Sequence, residues 1–196
     1  MNKILMALAI LAVTAGPALA GEPETLIKSD HEHGGFGAPV VKITTFDFEP
    51  GIVVGGRGGW IIDHKLVIGG GGYGLTKNLN KGEDDISDGS TLSFGYGGFE
   101  LEYIFGSDKL VHGSIYTLIG GGSLSLMGDE TDNHTIETNE YFVFEPDLNL
   151  ELNVTKFFRI GLGVGYRVVA GDDFKGYNYL DLSGVTGTLT FKFGKF

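Results

Sequence analysis

The chain contains no cysteine, which excludes a disulfide framework and a lipid anchor on an amino-terminal cysteine. Proline is scarce, with five residues, and no triplet period accompanies the glycine, so a collagen-like chain is excluded. Positive charge is in deficit, 14 Lys and Arg against 25 Asp and Glu for a net charge of −11. Such a balance disfavours nucleic acid, whose phosphates attract basic surfaces. The apolar run Ile4 to Val13 falls well short of the roughly 20 residues that a membrane-spanning helix needs. No other stretch reads as a helix, because glycine and β-branched residues are too dense.

What is present begins with Met1-Asn2-Lys3, the apolar run, and small residues at Ala18 and Ala20 ahead of Gly21. This is the pattern of a secretory signal peptide cleaved after Ala20. The remaining residues 21–196 suit one domain. Glycine dominates them, 33 of the 34 following Gly16, in clusters such as Gly55-Gly56-Arg57-Gly58-Gly59, Gly69 to Gly72 and Gly120 to Gly122. Valine, isoleucine, leucine and aromatics flank every cluster, so these are strand glycines at bends or close backbone approaches rather than linkers.

Residues 21–38 read as a polar leader, followed by eight apolar, alternating segments at roughly 40–47, 51–62, 66–77, 91–105, 111–127, 140–154, 157–170 and 184–196. After a first short turn, the connections alternate between short (63–65, 106–110, 155–156) and long (78–90, 128–139, 171–183). Outer-membrane barrels have this asymmetry, with the short turns in the periplasm. The long loops are acidic. Glu83, Asp84, Asp85 and Asp88 lie in the first, Asp129, Glu130, Asp132 and Glu137 in the second, and Asp172, Asp173 and Asp181 in the third. Against Lys81 and Lys175 these leave nine excess negative charges, of the twelve that remain once the signal's Lys3 is removed.

Strand side chains alternate between two faces. In 157–170, Phe158, Ile160, Leu162, Val164, Tyr166 and Val168 share one face, and Arg159, Gly161, Gly163, Gly165 and Arg167 the other. In 140–154 apolar positions alternate with Glu145, Asp147, Asn149, Glu151 and Asn153. A soluble barrel turns the apolar face inward and a membrane barrel turns it to lipid. The signal, the loop asymmetry and the aromatic-rich segment 185–196 select the membrane. The polar face then lines the lumen with Lys42, Arg57, Arg159, Arg167 and Lys192 against Glu100, Glu102, Glu145, Asp147 and Glu151. An eight-stranded barrel is just wide enough for side chains to fill, so these charges are expected to form a paired, closed core. Trp60, Tyr73, Tyr96, Tyr103, Phe105, Tyr141 and Phe158 are expected to form the aromatic girdles.

Leu189, Phe191 and Phe193 share the apolar face of the last segment, whereas Phe196 falls in register with Thr188, Thr190 and Lys192. A bulge at Gly194 is expected to return Phe196 to lipid.

The size, signal, eight segments and closing aromatic resemble the small outer-membrane barrels of the OmpX and OmpA-transmembrane-domain type. Gly35 to Lys42, Val54 to Ile62 and Gly69 to Gly74 look like a family of bacterial outer-membrane barrels without an agreed activity. The resemblance covers residues 35–196 and implies a closed, antiparallel, up-and-down eight-stranded barrel in the outer membrane of a Gram-negative bacterium, with residues 39–196 read as the barrel. Its partners would be outer-membrane lipid, lipopolysaccharide, and the barrel-assembly machinery through the last strand.

Other chemistry finds little support. His31-Glu32-His33 could place two imidazoles on one side of a strand, but no further ligand lies nearby. Asp84-Asp85 and Asp129 to Asn133 offer oxygen ligands without the twelve-residue calcium-loop pattern. Asp108, His112 and Ser114 lie close in sequence but lack a nucleophile-elbow motif. The glycine runs are not followed by a Gly-Lys-Ser/Thr motif and so are not phosphate loops. No cofactor, metal site or enzymatic activity is expected. The alternatives are a narrow channel or small-solute transporter, a soluble lipocalin-like periplasmic barrel (Gly58-Gly59-Trp60 carries that likeness), and a lipid-modifying or proteolytic barrel.

Overall fold

The computed structural model describes residues 32–46, 49–76, 91–127, 137–171 and 182–196. Eight strands follow one another: β1 (His33–Phe46), β2 (Glu49–Ile62), β3 (Leu66–Leu75), β4 (Thr91–Phe105), β5 (Val111–Met127), β6 (Glu137–Asn153), β7 (Phe158–Ala170) and β8 (Gly184–Lys195). Each pairs antiparallel with the next, and β8 returns to β1, so the sheet closes with no free edge. β1 begins at His33, seven residues before the expected start at 40, so part of the supposed leader belongs to the wall. The Gly-Gly-Phe-Gly-Ala-Pro stretch hides its alternation because glycine marks neither face.

The short turns at 63–65, 106–110 and 154–157 cluster at one end, here called the turn end, and the short β1–β2 connection lies at the other. Asp63 and His64 both adopt left-handed conformations, φ 53° and 56°, and the Lys65 amide donates to the Ile62 carbonyl at 3.1 Å. This is the mirror-image two-residue turn that matches strand twist. Gly106, φ 66°, supplies the left-handed residue of the 106–110 turn.

Alternation sorts the two faces. Ile43, Ile52, Leu148, Leu150, Leu162 and Val164 point outward and are 50–64% exposed, while Lys42, Val53, Glu145, Glu151 and Arg167 are fully buried. In water such an exterior would be one very large apolar patch; in hydrocarbon it is the correct solvent match. The arrangement is the reverse of a lipocalin's, in which the apolar face lines the interior, so the soluble-barrel alternative is set aside.

Register is unbroken across every strand pair. Pairing lapses only at Pro39, between β1 and β8, and at Pro146, between β6 and β7, where proline offers no ladder N–H. Across β2 to β5 glycines oppose glycines on both faces, Gly56↔Gly72, Gly72↔Gly97 and Gly97↔Gly121 outward, Gly59↔Gly69, Gly71↔Gly98 and Gly98↔Gly120 inward. Over this patch the outer face of the wall is bare backbone, while inside it Arg57 reaches over Gly71 toward Glu100.

Candidate functional site

The lumen is built in layers. At the turn end Phe36, Ala38, Ile61, Val67 and Ile104 form an apolar plate against which Phe196 packs. Toward the opposite, loop end lies a larger cluster that includes Val40, Val53, Phe94, Leu118, Leu124, Val143 and Val169, with the rings of Tyr73, Tyr96, Tyr116 and Tyr141. The ionic side chains lie between and among these two clusters.

Nearer the turn end, Glu102 is the hub. It accepts from Arg57 Nη2 at 2.9 Å, from Lys192 Nζ at 2.9 Å and from Ser114 Oγ at 2.6 Å. Arg57 Nε also meets Glu100 Oε2 at 2.8 Å, and Lys192 bridges onward to Glu151, whose other oxygen faces His112 Nε2 at 3.4 Å. Glu100 Oε1 accepts two tyrosine hydroxyls, Tyr73 and Tyr116, each at 2.7 Å. Nearer the loop end, Lys42 Nζ pairs with Glu145 Oε1 at 2.5 Å and sits 3.8 Å from the Tyr73 ring centroid, while the Tyr96 hydroxyl donates to Glu145 Oε2 at 2.7 Å. Thr188 Oγ1 donates to Asp147 Oδ2 at 3.2 Å, and Arg167 Nε donates to the Leu182 carbonyl at 3.0 Å.

The local sequence makes room for these groups. A Cβ on Gly71 would strike the Glu100 carboxylate and lie 2.9 Å from the Tyr73 hydroxyl, and one on Gly165 would strike the Asp147 carboxylate. At these two positions inward glycine is the counterpart of a bulky polar neighbour. Buried charges require such partners, since removing one side of a pair costs about 3–5 kcal/mol.

All ten charged side chains assigned to the lumen from strand parity are buried inside the barrel. They do not form one cluster. Lys42 and Glu145 pair apart from the Arg57, Glu100, Glu102, Lys192 and Glu151 group, and Arg159 has its guanidinium 4.0 Å from the Phe196 ring centroid. Counting only charged residues on the inward face leaves Tyr73, Tyr96, Tyr116, His112 and Ser114 out of the network. Tyr73, Tyr96 and Tyr141 were expected in a lipid-facing girdle and instead lie in the lumen, 5% exposed each. Their parity with Gly71, Glu100 and Glu145 was the available signal. Trp60, Tyr103 and Phe105 do face outward, and Phe158 stacks on Phe193 at 4.7 Å.

The expected bulge at Gly194 is absent. The β1–β8 register runs evenly from Gly35↔Lys195 to Thr44↔Thr186, so Phe196 keeps the inward parity of Lys192. Its ring packs against Phe36, with centroids 6.3 Å apart, under Arg159. Gly194 serves close approach instead, because a Cβ there would strike the Gly35 carbonyl and lie 2.6 Å from the Phe36 Cα.

The acidic loop residues Glu83, Asp84, Asp85, Asp88, Asp129, Glu130, Asp132, Asp172 and Asp173 lie outside the described residues, as does His31. Glu32 pairs with His64 at 2.8 Å, and His33 lies 5.2 Å from Trp60, ring centroid to ring centroid. Among the described residues no group of three or more His, Asp or Glu could hold a metal. Ser114 and His112 are held by different carboxylates, and Asp108 lies exposed in the turn, so they do not form a nucleophile–base pair.

A closed up-and-down barrel, apolar outside and polar within, is the transmembrane class of β-barrel, and its fold is that of the small eight-stranded outer-membrane barrels. Among solved structures it is similar to Neisserial surface protein A (NspA), with a TM-score of 0.57, 10% identity, and coverage of 84% of this chain and 97% of that one. The N-terminal β-barrel domain of Pseudomonas aeruginosa OprF matches with a TM-score of 0.49, 8% identity and coverage of 81% and 96%. Ail, the attachment invasion locus protein of Yersinia pestis, matches with a TM-score of 0.49, 11% identity and coverage of 83% and 97%. At these identities the likeness is one of fold. No protein-family model matches the chain, and no curated protein is similar to it in sequence.

Proposed function

We propose that this protein is an integral outer-membrane barrel of a Gram-negative bacterium, exported by the 1–20 signal, with a closed lumen and a non-enzymatic structural or surface-interaction role. The observation that carries the reading is the filling of the lumen. Ion pairs and tyrosine hydroxyls occupy its middle, and an apolar cluster lies toward each end. A water-filled path would need those groups to part, exposing charges that now satisfy one another. Recognition then falls to the acidic loops at 78–90, 128–139 and 171–183, carried on a rigid scaffold. The apolar exterior sits in lipid and lipopolysaccharide, and the last strand engages the barrel-assembly machinery.

Two measurements test this. Membrane fractionation, with the gel shift between unheated and boiled samples, is expected to give a heat-modifiable outer-membrane protein. In planar bilayers the purified protein is expected to be electrically silent. A steady current that changes in Arg167→Ala or Glu145→Ala would establish the narrow channel instead.

A further inference from the structure

The lipid-facing wall has a notch at the turn end. Across β4 to β7 one row of outward positions reads Phe105, Gly113, Leu150, Leu162 by direct pairing, and the row above it Ile115, Leu148, Val164. Gly113 lacks a side chain between Phe105 and Leu150, and the gap opens a groove of about 530 Å³ lined by those six apolar side chains. Packing does not demand the glycine. A Cβ there would meet only the Asn149 carbonyl oxygen, at an ordinary 3.6 Å.

The groove begins roughly 7 Å along β5 from its first residue and rises through the next few residues. It therefore lies within one leaflet, about half of a hydrocarbon core of ~30 Å. The turns that bound its lower end, 106–110 and 154–157, carry the exposed Lys109 and Lys156 against one exposed acid, Asp108. Asn153 fixes the first turn against β6, its Nδ2 donating to the Ser107 carbonyl at 3.0 Å and the Lys109 carbonyl at 2.7 Å. Exposed Leu110 and Phe157 beside the lysines place both turns at the membrane boundary, with cations at headgroup depth.

We propose that this notch holds one acyl chain of an anionic phospholipid of the periplasmic leaflet, its phosphate paired with Lys109 and Lys156. The proposal rests on the membrane-barrel reading above, which puts the short turns in the periplasm. Apolar lining selects a chain, and the paired lysines select a negative headgroup.

Native mass spectrometry of the full-length folded protein, with phosphatidylglycerol or phosphatidylcholine of equal chain length, tests it. Wild type is expected to retain one phosphatidylglycerol in preference to phosphatidylcholine. Lys109→Gln and Lys156→Gln should each lower phosphatidylglycerol retention about fivefold and leave phosphatidylcholine unchanged. Gly113→Leu, which fills the notch, should lower both by about tenfold through lost chain contacts, and Leu150→Ala, which removes a wall, should lower both less. The heat-dependent gel shift is run on every variant. Its absence in wild type would count against the membrane barrel rather than the notch, and Leu150→Ala carries the test should Gly113→Leu fail to fold. Retention unaffected by filling or breaching the notch, a lipid preference indifferent to the lysines, tighter binding of lipid A, or a dimer that Gly113→Leu dissociates would each overturn the proposal.

Discussion

The Lys42–Glu145 pair offers the sharpest test of how the lumen is held. Its members are 1% and 0% exposed, and Glu145's other partner is the Tyr96 hydroxyl at 2.7 Å. Lys42→Met strands a carboxylate with one neutral donor, and Glu145→Leu strands an ammonium over the Tyr73 ring. Each single change is expected to cost about 3–5 kcal/mol. The double variant Lys42→Met/Glu145→Leu removes both charges and leaves chiefly the Tyr96 hydroxyl without its acceptor, about 1–3 kcal/mol. The double variant should therefore be more stable than either single, and far from the sum of about 6–10 kcal/mol. Urea titration of the protein refolded into phospholipid vesicles measures this, with Trp60 as reporter. It is the one tryptophan in the chain and faces outward at 44% exposure, so its emission shifts when the barrel leaves lipid. Singles within about 0.5 kcal/mol of wild type, or an additive double, would refute the view that this pair is buried and mutually dependent.

Gly71→Ala drives a methyl into the Glu100 carboxylate and the Tyr73 hydroxyl and should destabilise by about 1–3 kcal/mol in the same titration. Gly72→Ala, one residue on and facing outward with nothing within 4 Å, should change stability by less than about 0.5 kcal/mol; equal effects would undo the assignment of faces. Phe196→Ala removes a ring from between Phe36 and Arg159 and should cost about 1–2 kcal/mol while leaving the gel shift intact. Glu102→Gln weakens charge pairing to both Arg57 and Lys192 and should lower the urea midpoint more than Glu32→Gln, whose partner His64 is exposed. A larger loss from the exposed pair would contradict the burial argument.

The strands and their two faces were legible because period-two alternation survives wherever residues such as Arg159 and Ile160 are unambiguous. The closed order of strands followed from turn lengths. Which charge meets which was not legible. Lys42 and Glu145 lie 103 positions apart, and their meeting depends on barrel closure rather than on any local pattern. The tyrosines failed for a different reason. A tyrosine suits both a headgroup girdle and a buried acceptor, and only its parity with glycine or glutamate decides. The place of Phe196 was not legible because the inward pocket beneath the Arg159 guanidinium and beside Phe36 exists only once β8 closes on β1.

The glycine patch across β2 to β5 makes the outer wall uneven. Cross-strand side-chain pairs supply roughly 0.2–1 kcal/mol each to a sheet, and between Gly56↔Gly72 and Gly98↔Gly120 there are none on the outer surface. On the outer surface only the backbone ladder ties these strands together, through the residue with the softest torsions, while inside Arg57 reaches over Gly71 to Glu100. The opposite arc, with Leu148, Leu150, Leu162 and Val164 outside and Glu151 and Lys192 joined within, is braced on both sides. The glycine pane is therefore the part of the wall that presents lipid with backbone alone, held from within by one buried ion pair.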